Sequence, residues 1–189
     1  MTTVSIIGNG NMANAIGGVL AGGGATVEYI GRGGGAINGS IVVLAVPYPE
    51  VEAVLATYGA QLAGKTVVDI TNPIDFATFD GLTVPADSSA AATLAAALPE
   101  SRVLKAFNTT FAATLASGTI GGQPTTVLIA GDDDEAKAEL AALVRARGLN
   151  ALDAGALSRA RELEALGFLQ ITLAAAERIA WTGGFAVVA

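Results

Sequence analysis

The chain has 189 residues and a formal net charge of −7, and 52% of it is hydrophobic against 14% charged. That length suits one domain with a small appendage, the composition excludes disorder, and the negative charge argues against nucleic acid or an anionic membrane as a partner. With no cysteine and no histidine, disulfides, a thiol nucleophile, the usual zinc sites and a serine–histidine hydrolase are excluded.

The first residues, MTTVSIIGNG, have neither the basic region nor the apolar run of a signal peptide. The longest apolar-rich stretch, ALGFLQITLAAA between Glu164 and Glu177, is too short to span a bilayer. A soluble, cytoplasmic protein is expected. The first strand, TVSII (3–7), leads into Gly8-Asn9-Gly10-Asn11-Met12-Ala13 and a helix over 11–22 with Ala15, Ile16 and Val19 on its apolar face. This is the GxGxxA form of the dinucleotide turn. Gly8 makes the tight turn, Gly10 lets a pyrophosphate approach the backbone, and Ala13 lets the helix pack on the strand. Free amides at the helix start meet the phosphates.

The second strand, TVEYI (26–30), ends in Gly31-Arg32. An NAD site wants an acid at that point for the ribose hydroxyls, and Glu28 comes two residues too early. Arginine instead offers bidentate bonds to a phosphate, so NADP(H) is expected over NAD(H). Only GRGGGAINGS separates this strand from the third, IVVLAV (41–46). Ten extended residues reach about 33–36 Å, enough to return along a strand of about 17–20 Å and pass one neighbour. The expectation is a Rossmann-like sheet trimmed of its usual third strand and helix. The alternative is a local hairpin with antiparallel strands.

Further strands follow at 66–70, 102–107 and 125–130, with a weaker one at 150–154. Helices are expected at 50–62, 88–97, 110–116 and 133–147. Continuous apolar strands alternating with helices imply a doubly wound parallel sheet. Residues 1–155 make the nucleotide-binding domain and 156–189 a C-terminal helix and tail. The segment 158–181 reads as one helix of about 36 Å. Its middle is apolar nearly all round, which implies burial on more than one face. The second face meets another subunit in a homodimer, or else lies under the tail TGGFAVVA.

Three loops end strands where open α/β sheets bind ligands: AVPYPE (45–50), DITNPID (69–75) and KAFNTT (105–110). In this order, GNGNMANAIG, the GR pair, AVPY, VVDITNP, VLKAFNTTFA, LIAGDDDEAK and DAGALSRARELEALGFLQI resemble the NADPH-dependent oxidoreductases of an 8-hydroxy-5-deazaflavin coenzyme. The glycine turn alone equally resembles pyrroline-carboxylate reductases. The resemblance implies that Gly8 to Ala13 hold the pyrophosphate and that Gly31 and Arg32 take the 2′-phosphate. It implies that Ala45, Val46, Pro47 and Tyr48 line the ribose and nicotinamide. It places Asn72 and Pro73 at the cleft wall, and Ala106 and Asn108 beside the carboxamide and acceptor. It also implies direct hydride transfer to a deazaflavin or flavin-like small molecule, with no catalytic side chain and no metal. Such chemistry needs proximity and orientation and is carried by the cofactors. Two other functions fit the residues. One is a small imine or carbonyl reductase with Tyr48, Lys105 or Asp69 as proton donor. The other is a non-catalytic NADP-binding module. Lys105 also reads as a strand lysine that snorkels to solvent.

Overall fold

The computed structural model describes residues 1–31 and 34–188. The chain runs β1 (Thr3–Ile7), α1 (Asn11–Gly22), β2 (Thr26–Ile30), β3 (Ile41–Leu44), α2 (Val51–Leu62), β4 (Thr66–Asp69), α3 (Ala90–Ala97) and β5 (Arg102–Ala106). It continues through α4 (Ala112–Ser117), β6 (Thr119–Ile120), β7 (Gln123–Pro124), β8 (Thr126–Gly131), α5 (Asp134–Ala146), β9 (Asn150–Gly155) and α6 (Ala160–Ala175). Seven strands form one sheet in the order β2-β1-β3-β4-β5-β8-β9. It is a mostly parallel, Rossmann-like sheet.

Both β2 and β3 pair parallel with β1, one on each side. The connection, which has no helix among its described residues, therefore crosses β1 as expected, and the hairpin alternative is excluded. Polar side chains fasten this connection. Glu28 accepts from the Asn38 backbone and side-chain amides, Gly39 N donates to Ser5 Oγ, and Lys65 Nζ donates to Gly39 O. Every residue of β3 and β4 is buried, so these strands read as continuous apolar runs. Their side chains alternate between two cores. Ile41 and Val43 join Ile16, Leu20, Leu140 and Val144 under α1 and α5, while Val42 and Leu44 join Val54, Leu62 and Leu94 under α2 and α3.

The sheet departs from the all-parallel expectation at one place: β8 runs antiparallel to β5. Ala106 at the end of β5 lies opposite Ile129 near the middle of β8, so the connection starts and finishes at the same edge of the sheet. Its only helix, α4, has six residues, about 9 Å, too short to carry the chain back. The rest is spent on the β6–β7 hairpin. Its two-residue loop is Gly121-Gly122, both at positive φ (56° and 83°), as a tight hairpin turn requires. This hairpin is not evident from residue pattern because each strand has only two residues.

The C-terminal helix is shorter than expected. A 3₁₀ turn covers Leu157–Arg159 and α6 ends at Ala175, where the sequence reading ran to 181. Glu177 takes a left-handed φ of 57° and the chain folds back. Trp181 then packs on Phe111 with ring centroids 4.9 Å apart, and Phe185 N donates to Gln170 Oε1 at 3.0 Å. The tail thus covers part of the apolar helix. Among the described residues no helix is long and apolar enough to cross a membrane.

Close packing at the end of α1 supplies a stability test. A Cβ on Gly23 would lie 2.1 Å from the backbone oxygen of Leu143. Gly23→Ala is expected to cost about 1–3 kcal/mol through the forced separation of α1 and α5. Urea unfolding checks this, and an unchanged midpoint contradicts it.

Candidate dinucleotide site

The glycine turn sits where β1, β2 and β3 converge. Gly8 has φ +126°, and a Cβ there would lie 2.2 Å from Ala45 O. Its amide donates to Ile30 O at 3.1 Å, so one glycine closes the gap between all three strand ends. Gly10 differs: a Cβ there would meet nothing within 4 Å. The glycine is not demanded by the protein's own packing, and the space before it is open. Helix α1 begins at once with no side-chain cap and no acid in its first turn. Uncapped amides and the positive end of the helix dipole favour an anion at this position. Ala13 is fully buried in the core, and Gly17 lets α1 approach Ile6 and Tyr29. These residues fit a dinucleotide pyrophosphate.

Two clefts flank the turn. The first, of about 470 Å³, is lined by Gly8, Asn9, Gly10, Ile30, Gly31, Ala45, Val46, Pro47, Glu50, Ala53, Val54, Thr57 and Tyr58. It lies on the β2 side, where a Rossmann-like sheet takes the adenosine half. Tyr58 donates its hydroxyl to Gly31 O at 3.2 Å, holding the loop at the mouth of this cleft. Arg32 lies outside the described residues. The side chain of Glu28 is turned to Ser5 and Asn38, and hydrogen bonds from the Asn38 side chain, and then Ser5, lower its pKa. It is occupied by the β2–β3 connection, in keeping with the reading that it does not serve a ribose.

The second cleft, of about 590 Å³, is lined by Asn11, Met12, Ile70, Asn72, Phe76, Asn108, Thr110, Phe111, Ala112, Ala113, Ile171 and Trp181. Asn72 and Asn108 are bonded to each other. Asn108 Nδ2 donates to Asn72 Oδ1 at 3.0 Å and to Leu163 O at 2.8 Å, and Asn72 Nδ2 donates to Asn108 O at 3.0 Å. Phe107, just before Asn108, is buried with φ 64°, a costly conformation for a bulky residue. Helix α6 presses on the pair through Gly167, where a Cβ would lie 2.4 Å from Asn72 Oδ1.

Four of the described residues expected at the site, the core residue Ala13 among them, line neither cleft. Ala106 is fully buried in the core, and Pro73 is buried with its carbonyl accepting from Thr83. Tyr48 lines a separate cleft with Pro49, Leu55 and Leu94. Burial raises its hydroxyl pKa, and the carboxylates of Glu164 and Asp69 push it up further, so Tyr48 stays a neutral phenol across the physiological range.

Beneath the site lies a charge cluster that sequence pattern does not assemble. Lys105 is fully buried and does not snorkel. Its Nζ lies 2.8 Å from Asp69 Oδ2 and 2.9 Å from Glu164 Oε1, and it also donates to Thr71 O. Asp69 Oδ1 accepts from Thr71 N. Glu164 accepts from the amides of Ala90 and Ala91 at the start of α3. The only sequence signal was a lysine and an aspartate inside apolar strands. Their partnership follows from the β4–β5 register, which sets Asp69 opposite Lys105.

An uncapped glycine turn between an adenosine-side cleft and a second cleft at the β4 and β5 ends defines a dinucleotide-binding protein of the Rossmann class. Comparison with known proteins refines this. No family model matches the chain. It is 32% identical over 140 residues to the F420-dependent NADP reductase of Methanocaldococcus jannaschii, covering 72% of this chain and 62% of that protein. It is 36% identical over 131 residues to metalloreductase STEAP3 of Rattus norvegicus, covering 69% of this chain and 26% of that protein. The crystal structure of a candidate F420-dependent NADP reductase from Arthrobacter sp. FB24 matches all of both chains with a TM-score of 0.85 and 26% identity. The chain is thus similar in sequence and fold to F420-dependent NADP reductases. It spans less than two thirds of the length of either curated relative.

Lys105→Met leaves Asp69 and Glu164 buried without their cation. The expected loss is about 3–5 kcal/mol of folding stability, read from denaturant midpoints. A loss below about 1 kcal/mol would mean that the carboxylates are solvated on their own.

Proposed function

We propose that the chain is an NADP(H)-dependent oxidoreductase that passes hydride directly between NADPH and a planar deazaflavin or flavin-like acceptor. The observation that carries this reading is Gly10, which the protein's packing leaves open at an uncapped helix start. Both clefts adjoin it: Gly8, Asn9 and Gly10 line the first, and Asn11 and Met12 line the second. When bound, the nicotinamide supplies the hydride. The chain's own work is placement. The first-turn amides of α1 hold the pyrophosphate, and Gly31 and Arg32 take the 2′-phosphate. Ala45 to Pro47 form the wall of the first cleft. The bonded pair Asn72 and Asn108 fixes the wall of the second, so that two rings meet in a reactive orientation. No ionisable side chain lines the second cleft among the described residues. This suits a transfer in which the protein supplies no proton. The same reading includes a homodimer made through α6, where Leu169 stays 48% exposed.

The name of the archaeal relative supports NADP and the deazaflavin as partners, and the rat relative is named for a different reductase chemistry. The nucleotide half of the proposal is tested first. Gly10→Ala is expected to fold with unchanged stability, because its Cβ meets no protein atom. It should bind NADPH at least about tenfold more weakly, about 1.4 kcal/mol, by calorimetry. Unchanged affinity would show that no pyrophosphate approaches this backbone, and the oxidoreductase proposal would fall with it. In the same titration Arg32→Ala should erase the preference for NADPH over NADH. Tyr48→Phe should leave the pH dependence of turnover unchanged between about pH 6 and 9, since a phenol whose pKa is raised above its ordinary value of about 10 is not ionised there.

A further inference from the structure

We propose that the second cleft binds the ring of its acceptor and not the acceptor's anionic tail, and that Trp181 forms a wall of that ring slot. The inference rests on the oxidoreductase reading above and specifies the acceptor half of the site. Aromatic residues make up only 5% of the chain, yet Phe76, Phe111 and Trp181 all line this one cleft. Phe111 and Trp181 stand against each other at 4.9 Å and 55°. Phe76 is braced edge-on by Phe79 at 5.5 Å. Aromatic faces and edges of this kind favour a flat, polarisable ligand. Trp181 is 53% exposed. Its indole is available to a ligand while its other side rests on Phe111.

The polar groups in the cleft are all neutral: Asn11, Asn72, Asn108 and Thr110. Neutral amides and hydroxyls read ring nitrogens and carbonyls. A phosphate or carboxylate calls for arginine, lysine or a free helix start. Two helix starts reach the cleft: that of α1, at Asn11 and Met12, is assigned to the dinucleotide, and that of α4, at Phe111 to Ala113, belongs to a helix of only six residues whose Phe111 amide is taken by Thr114 Oγ1, with no basic side chain in the lining beside it. The overall charge of −7 also repels anions at low salt. The cleft therefore fits an uncharged fused heterocycle of the flavin or deazaflavin class, adjoining the nicotinamide, with any anionic tail left in solvent.

The chain has a single tryptophan, so its fluorescence reports on this slot. The NADP⁺-loaded protein is titrated with riboflavin and 5-deazariboflavin, and with their 5′-phosphates, at low salt and at about 0.5 M salt, where surface charges are screened. At least one ring is expected to quench Trp181. The phosphate-free form should bind as tightly as its phosphate or tighter at low salt, and within about threefold of it at high salt. Trp181→Ala should weaken ring binding at least tenfold, followed by the flavin's own fluorescence anisotropy, and Trp181→Phe should restore most of it. NADPH affinity by calorimetry should stay unchanged in both variants. A phosphate form that binds tenfold tighter would overturn the proposal. Ring binding indifferent to Trp181→Ala would also overturn it. Loss of NADPH binding with ring quenching intact would sink the oxidoreductase reading while keeping the ring slot. Intact NADPH binding with no quenching by any ring would sink the slot alone.

Discussion

Lys105 has no exposed surface, and a buried ammonium is tolerated only when its donors are met by charge or carbonyl oxygen. It draws one partner from each of three places: Asp69 from β4, the Thr71 carbonyl from the loop that follows, and Glu164 from α6. Two carboxylates around one cation leave an excess negative charge. The amides of Ala90 and Ala91 face Glu164 from the start of α3, where the helix dipole favours an anion. Four elements are thereby fixed to each other at the carboxyl edge of the sheet. Such a cluster gains little over a well-packed apolar one, but it loses a great deal if any one member moves.

The seat of α6 follows from that cluster. With Glu164 anchored, the neighbouring Leu163 carbonyl accepts from Asn108, and one turn on Gly167 abuts Asn72. The two asparagines on the wall of the second cleft therefore take their orientation from a helix about 55 to 95 residues further along the chain. The tail then returns through Gln170 and Phe185 and sets Trp181 on Phe111. The C-terminal segment, which sequence pattern marked as an interface, is also part of the cleft.

The other half of the site depends on local geometry alone. Gly8 and Gly10 stand in opposite surroundings. Gly8 is required by the protein, because a side chain would enter Ala45. Gly10 is open on the protein side, where a side chain would meet no protein atom within 4 Å. The trimmed β2–β3 connection, which has no helix among its described residues, brings Gly31 to the same mouth. It is held down by Glu28, Lys65 and Ser5 through bonds to the loop backbone and Asn38.

Much of this was legible in the residues because it is local. Apolar runs of β-branched residues fixed the buried strands, the glycine spacing fixed the turn, and the reach of ten extended residues was enough to predict a helix-free crossover. Ser89 and Asp133 cap α3 and α5 within a residue or two of where their patterns began. What failed was non-local. The reversal of β8 depends on which edge of the sheet the chain has reached, and the end of α6 depends on a tail contact. The sequence by itself determined a nucleotide-binding α/β sheet and its glycine turn, since strand burial, turn conformation and helix start are set by neighbouring residues. Only the tertiary structure decided that Lys105, Asp69 and Glu164 share one buried site and that Trp181 reaches the second cleft. Charge pairing and aromatic contact depend on distances in space, and no spacing along the chain encodes them.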